Sequence, residues 1–218
     1  MRPLVILLAV IGLGGVALAD VPWAQGVAKD KQTQANALFA EGNELFAQQA
    51  HAPALEKYKA AVALWDHPLI EFNMAVTLVR LDRILEAADS LDKALRFGEA
   101  PFPSAEQYQQ ALDYKKLVAG RVGTLQLSCD APATVLLDGQ AWLTCPGNRE
   151  ARVLAGEHVI VAEREGYYPL TRHVFVSGGT TAREALSLVR LDRVKLEYPT
   201  PRWIPWAIAG GGLAVTLG

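Results

Sequence analysis

The fold is decided by the segment LVAGRVGTLQL, residues 117–127, because the spacing of apolar residues changes within it. Before Gly120, apolar residues recur at intervals of three and four positions, the period of a helix that packs one face. From Thr124 to Leu127, polar and apolar residues alternate, which is the period of a half-buried strand. The sequence therefore predicts an α+β chain in which helices come first and strands follow.

Working back from Gly120, the helical pattern extends to about Ala24. Pro53 and Pro68 stand where helices are expected to begin, and Gly98 stands where one is expected to end. Ser104 and Gln107 have the spacing of a capping box, which predicts a last helix over residues 104–119. A separate N-terminal helix is predicted over Ala24 to Gln34.

Two helical units repeat 33 residues apart. Each places small residues where two helices approach closely and one larger residue between the helices. The matched positions are Gly42 and Ala75, Ala54 and Ala87, Tyr58 and Leu91, and Ala61 and Ala94. This pattern resembles the tetratricopeptide repeat (TPR), whose period is about 34 residues. The resemblance covers roughly residues 35–100 and implies an all-α array completed by flanking helices.

In TPR proteins the inner surface of the first helices forms a groove that binds a helix or an extended peptide. The offsets from Gly42 and Ala75 place on that surface Asn36, Phe39, Asn43, Phe46, Leu69, Phe72, Asn73, Val76 and Val79. Our candidate partner-binding residues are Phe39, Asn43, Phe46, Phe72 and Asn73. Asn43 and Asn73 match two asparagines that hold a peptide carboxylate or backbone in family members of the clamp type, whereas Phe39 replaces the lysine expected one turn before Asn43. The alternative is that the three phenylalanines are buried under the chain's own N-terminal helix.

On the other side of Gly120, Asp138-Gly139 is a strong signal for a β-hairpin. Strands are predicted at residues 122–127 and 134–137, and further ones at 150–154, 157–165, 171–177 and 185–191. Val159, Val161 and Glu163 are expected to share one side of their strand. Short strands separated by glycine turns favour a small β-sandwich.

The hairpin lies within the pattern Pro132-x-x-Val135-x-x-Asp138-Gly139, and a glycine turn, a strand and a Gly166-Tyr167 corner follow. These residues resemble the PEGA domain, over about residues 122–191, with Thr144-Cys145-Pro146 near the family's Thr-Pro turn. The resemblance implies a non-enzymatic β-sandwich of the bacterial envelope, often joined to TPR units and to membrane anchors.

The two ends of the chain indicate export and a membrane tether. Residues 1–19 read as a signal peptide with a small-residue cleavage site, unless they form an uncleaved membrane helix. The domains expected are helical repeats over 20–120, the PEGA-like sandwich over 121–192 and a linker over 193–202. The uncharged residues 203–218 are interpreted as the start of a truncated transmembrane helix, or as a tail packed on a partner.

Two cysteines in an exported chain, Cys129 and Cys145, predict one disulfide, with two separate thiols as the alternative. The net charge of −2 gives no general attraction for nucleic acid. His158 and His173 are expected to face solvent on their strands, and none of the four histidines has metal-ligand spacing. No catalytic residue, metal or cofactor is therefore predicted.

The expected function is that of a non-catalytic scaffold or adaptor that faces the periplasm from the bacterial inner membrane and binds a protein or peptide. The alternative, from another class, is an envelope protein that binds cell-wall polymer or carbohydrate through its sandwich. Trp142, Tyr167 and Tyr168 would then provide the stacking surface.

Overall fold

The computed structural model describes residues 21–191 and places five α-helices before five strands, which confirms the predicted α+β order. The helices are α1 (Lys29–Ala47), α2 (His51–Leu64), α3 (Pro68–Arg80), α4 (Ile84–Ala94) and α5 (Ala105–Ala119). The strands are β1 (Val122–Leu137), β2 (Gln140–Leu154), β3 (Gly156–Glu163), β4 (Leu170–Val176) and β5 (Thr181–Leu186). The predicted signal peptide, linker and membrane segment lie outside the described residues.

Among the helices of residues 21–191, none combines the length and the apolar character that crossing a membrane requires.

The helices pack mainly as two hairpins, α1 with α2 and α3 with α4, and α5 packs on α4. The small residues of the 33-residue repeat lie at these contacts, and Ala54, Ala75 and Ala87 are fully buried. A Cβ atom at Gly42 would lie 2.6 Å from Cε1 of Tyr58, whose ring is also buried. Glycine at position 42 therefore allows α1 to approach α2 across the Tyr58 ring.

The prediction of a separate N-terminal helix over Ala24 to Gln34 is wrong. Helix α1 runs without a break through Gln34, because neither glycine nor proline interrupts it before Gly42. A short 3₁₀ turn, Pro22–Ala24, precedes it. Its Trp23 carbonyl accepts a hydrogen bond of 2.7 Å from the indole nitrogen of Trp65, so this segment packs where α2 ends.

Helix α3 begins at Pro68, as predicted, and His67 caps it. The Nδ1 atom of His67 accepts a hydrogen bond of 3.1 Å from the backbone nitrogen of Leu69, which requires a neutral ring. Burial, with a further contribution from the Arg96 charge, lowers the pKa of His67 from 6.5 to about 4, against an opposing effect of Asp66.

Because of this cap, the free energy of unfolding is expected to decrease as the pH decreases. Below pH 6.5 the unfolded chain binds a proton at His67, while the folded chain does not until about pH 4. The contribution of His67 to the free energy of unfolding is therefore complete above pH 6.5. As the pH falls to about 4, about 1–3 kcal/mol of this free energy is lost. We expect His67→Asn, which keeps a capping oxygen but does not titrate, to remove this loss in urea unfolding at several pH values.

The matched comparison is the difference in unfolding free energy between the natural protein and His67→Asn at each pH. The buried Glu71, whose pKa is raised by burial, gives the opposite pH dependence but is common to both proteins and cancels in the difference. A difference that stays constant between pH 7 and pH 4 would contradict the role given to His67.

The five strands form one antiparallel sheet in the order β2-β1-β3-β4, and β5 also pairs with β1. In the pairing of β1 with β3, Thr134 lies opposite Glu163 and Leu137 opposite Ile160. The predicted hairpin forms at Asp138-Gly139, where both residues have positive φ, 51° and 81°.

Three strands differ from their predicted limits. Strand β1 is continuous where two strands were predicted, β2 begins before the predicted residue 150, and β5 ends at Leu186 instead of covering residues 185–191. The hairpin turn brings β1 and β2 side by side, and backbone pairing then extends both strands beyond their apolar runs.

The buried side of β3 consists of His158, Ile160 and Ala162, while Val159 and Val161 are only partly buried. The expectation that His158 faces solvent is wrong, because its side chain is 8% exposed and its Nε2 atom lies 2.8 Å from the Leu154 carbonyl. His173 is exposed, as expected, and its Nδ1 atom lies 2.9 Å from Oε1 of Glu157.

The described residues fall into two compact units, and the division runs through the sheet instead of at residue 120. The first contains residues 21–127, 149–158 and 173–184, and the second contains residues 128–148, 159–172 and 185–191. Within the first unit, Arg152 of β2 lies 2.9 Å from Asp89 and 2.5 Å from Asp92 on α4. Arg121 is paired in the same way with Asp82, at 2.6 Å. These ion pairs help to hold strand residues against the helices.

Candidate functional site

A cavity of about 280 Å³ lies among α1, α2, α3 and α5 of the first unit. It is lined by Asn43, Phe46, Tyr58, Phe72, Asn73, Val76, Arg80, Gln110 and Tyr114. Four of the five predicted partner-binding residues are in this lining, all of them from α1 and α3. The structure therefore brings together, in one concave site, residues that the sequence placed one repeat apart.

The polar centre of the cavity is the side chain of Asn43. Its Oδ1 atom accepts hydrogen bonds from the Tyr58 hydroxyl, at 2.8 Å, and from Nδ2 of Asn73, at 2.9 Å. Burial raises the pKa of Tyr58 to about 12, so its hydroxyl remains a donor at neutral pH. The Asn43 amide nitrogen donates no hydrogen bond within residues 21–191 and can therefore donate to a ligand.

The apolar wall is formed by Phe46 and Phe72. The Phe72 ring is 5% exposed and packs edge-on against Phe102 and Tyr114, with ring centroids 5.9 and 6.0 Å apart. Helix α5 thus closes one side of the cavity. Residues 21–34 do not line it, so the alternative in which the N-terminal segment covers these phenylalanines does not describe the structure.

Phe39, the fifth predicted residue, does not line the cavity. Its ring packs against Tyr58, with the centroids 5.9 Å apart, and so supports a residue that does line it. Three other residues assigned to the inner surface by offset also lie outside the lining: Asn36, Leu69 and Val79. Helical offset gives the side of a helix, but the bulk of neighbouring side chains decides which residues reach the cavity.

Sequence reasoning missed four lining residues: Tyr58, Arg80, Gln110 and Tyr114. Tyr58 had been placed in the gap between helices, which is correct for its ring but omits its hydroxyl. Gln110 and Tyr114 lie four residues apart on one face of α5, a spacing that indicates a common surface. Arg80 carried no signal, because it is the last residue of α3 and lies outside the apolar pattern.

The aromatic residues proposed to stack on a polymer differ in their exposure. Tyr168 is 56% exposed, whereas Trp142 and Tyr167 are partly buried. The guanidinium carbon of Arg164 lies 4.3 Å from the centre of the Tyr167 ring and so occupies that ring's face. Of the three rings, Tyr168 is therefore the most available for stacking.

Cys129 and Cys145 form a disulfide in the second unit, which confirms the predicted pair. Their Cα atoms are 5.8 Å apart, within the range that a disulfide requires, and both side chains are 5% exposed.

Across residues 21–191, no group of three or more His, Cys, Asp or Glu side chains is placed to hold a metal ion.

The class of site is therefore a small, mixed polar and apolar cavity between helices, without an acidic or sulfur-containing side chain in its lining. No protein-family profile matches this chain, and no curated protein matches it either.

Proposed function

We propose that this chain is a non-catalytic scaffold or adaptor that binds a segment of a protein partner in the cavity between α1 and α3. The observation that carries the proposal is the cavity itself, with Asn43 at its centre and Phe46 and Phe72 along its wall. Apolar surface with a few oriented amides is the usual composition of a site that takes a peptide backbone and its apolar side chains. Its lining contains no carboxylate, thiol or histidine that could act as an acid, base or nucleophile.

The two helical hairpins support the finer assignment to a short TPR array. Residues 33 positions apart are buried in both hairpins, including Tyr58 with Leu91 and Ala61 with Ala94. Helix α5 takes the position of a capping helix, since it packs on α4 and closes the cavity. For the strands, the Asp138-Gly139 hairpin agrees with the PEGA resemblance. That the strands form the two packed layers of a sandwich is part of our proposal.

We further propose that the protein acts in the periplasm, tethered to the inner membrane. The support is the sequence of its two ends together with the Cys129–Cys145 disulfide, since disulfides persist in oxidising compartments. The carbohydrate-binding alternative has less support, because the face of Tyr167 is already occupied by Arg164.

We expect that replacing both Asn43 and Asn73 by alanine weakens binding of the partner by about 1–3 kcal/mol, which corresponds to roughly 5- to 150-fold in Kd. The physical reason is the loss of amide hydrogen bonds that the cavity offers to a bound backbone. A photo-crosslinking residue at Gln110, which lines the cavity and is exposed, first captures the partner in cells. Calorimetry with that partner then compares the variants.

Asn36→Ala is the matched control, because Asn36 is an exposed asparagine of α1 outside the cavity lining. It should leave Kd unchanged. Since Asn43 also holds Tyr58 and Asn73, thermal melts must show that the double variant is folded at the binding temperature. An unchanged Kd for a folded double variant would count against the cavity as the binding site.

A further inference from the structure

Two short segments of the second unit pair as an antiparallel ribbon, beside the last described residue. Tyr167 lies opposite Arg190 in a β-bridge. On either side of this bridge, the backbone nitrogen of Tyr168 donates to the Val189 carbonyl, at 2.9 Å, and the backbone nitrogen of Leu191 donates to the carbonyl opposite it, at 2.8 Å. These hydrogen bonds fix which residues of the two segments face each other.

The pairing places three large apolar side chains on one face of the ribbon. Side chains of paired strands alternate between two faces, so Tyr168, Val189 and Leu191 share the face opposite to that of Tyr167 and Arg190. All three are exposed to solvent, at 56%, 66% and 42%. Arg190, the charged residue of the ribbon, lies on the other face. We call the three apolar residues the ribbon patch.

The composition of the ribbon patch is typical of a contact with lipid. A contiguous exposed apolar surface marks a site that binds a protein or a membrane. Tyr168 combines an apolar ring with a polar hydroxyl, and tyrosine is enriched where lipid headgroups meet the hydrocarbon core. Val189 and Leu191 add aliphatic side chains next to it. Because the patch carries no charge, it enters this boundary without the cost of desolvating a charged group.

The chain that follows the ribbon limits how far the patch lies from a bilayer. Eleven residues, 192–202, separate Leu191 from the apolar segment 203–218 that we propose enters the membrane. Eleven residues span at most about 40 Å when fully extended, little more than the diameter of a small domain. A surface held this close to the bilayer docks on it with a smaller loss of translational freedom than a free protein does.

We propose that the ribbon patch binds the surface of the bilayer, with Tyr168, Val189 and Leu191 inserted between the lipid headgroups and the first part of the acyl chains. The proposal rests on the membrane tether proposed above and adds a second contact to it. This contact orients the second unit against the bilayer, because a tether by itself leaves the unit free to rotate.

The test measures the depth of single side chains with the full chain reconstituted into vesicles of phosphatidylethanolamine and phosphatidylglycerol. Val189→Cys is labelled with a nitrobenzoxadiazole dye, and the two natural cysteines do not react because they form the disulfide. Lipids that carry a nitroxide near the headgroup are expected to quench this dye at least ~2-fold, since interfacial side chains lie at that depth.

The matched control is Arg190→Cys with the same dye, because residue 190 is the neighbouring position, is exposed and faces the opposite way. Its dye should keep its fluorescence with nitroxide lipids and should be quenched by iodide in the water. In the Val189→Cys protein, replacing Tyr168 and Leu191 by serine is expected to reduce the nitroxide quenching to the level of this control. Circular dichroism checks that each variant is folded.

Flotation of the vesicles after an alkaline wash separates this inference from the tether on which it rests. If the chain floats with the vesicles and the dyes at positions 189 and 190 respond alike to nitroxide lipids, the tether stands and the patch does not bind lipid. A dye at position 189 that is shielded from iodide but not quenched by nitroxide lipids would show that protein covers the patch, which also overturns the inference. If the chain does not float, the tether and the inference fail together.

Discussion

Replacing Cys129 and Cys145 together by alanine is expected to lower the free energy of unfolding by about 3 kcal/mol. The two residues are 16 positions apart in the sequence, and their disulfide closes a loop that includes the β1–β2 hairpin. Without the bond, the unfolded chain gains conformational freedom while the folded chain changes little. Since a small domain is stabilised by only about 5–15 kcal/mol in total, the loss is large.

Urea unfolding of the natural protein and of the double variant, each with and without reductant, measures the effect. Reductant should destabilise the natural protein by a similar amount and leave the double variant unchanged. If the two proteins unfold at the same urea concentration without reductant, the disulfide does not stabilise the fold as stated.

Replacing Gly178 by alanine is expected to destabilise the protein by about 3 kcal/mol. A Cβ atom at position 178 would lie 2.1 Å from the carbonyl oxygen of Gly120 and 2.4 Å from its carbonyl carbon. Both are backbone atoms, so no side-chain rotation can relieve the clash, and the end of α5 and the turn after β4 must move apart. Chemical denaturation monitored by circular dichroism measures the change.

Gly120→Ala is the matched control, because it adds a methyl group on the other side of the same contact. Gly120 has φ of −68°, and a Cβ atom there would come no closer than 3.5 Å to its neighbours. We expect its effect to stay within about 1 kcal/mol, since this backbone conformation suits alanine. Equal losses for the two variants would indicate that close approach of the two backbones is not the cause.

The α+β order, the starts of α3 and α5 and the hairpin turn could be predicted from sequence because local interactions fix them. Helix α2 begins at His51, two residues before Pro53, and α4 ends at Ala94, four residues before Gly98. Pro68 begins α3, Ser104 accepts the capping hydrogen bond of α5 from Gln107 at 3.3 Å, and Asp138-Gly139 forms the turn. The disulfide could be predicted as well, since two cysteines allow only one pair within the chain. In each case the residues that carry the sequence pattern also make the local turn, capping hydrogen bond or disulfide that the pattern predicts.

The candidate site was predicted in part. Asn43, Phe46, Phe72 and Asn73 follow from the helical period and the 33-residue repeat, which place them on corresponding faces of α1 and α3. Phe39 shares that period but lies against Tyr58 instead of the cavity. Periodicity gives the direction of a side chain from its own helix, whereas the space it fills depends on the other helices.

By itself, therefore, the sequence determined the starts of α3 and α5, the hairpin turn, the disulfide pair and the face of α1 and α3 that lines the cavity. Only the tertiary structure decided that Gly178 must lack a side chain, that α5 contributes Gln110 and Tyr114 to the cavity, and that Arg80 has no counter-ion among residues 21–191. The physical reason is the range of the interactions. Helix caps and turns act within a few residues of the chain, but close backbone approach, cavity lining and charge pairing join residues that are distant in sequence and become neighbours only when the chain packs.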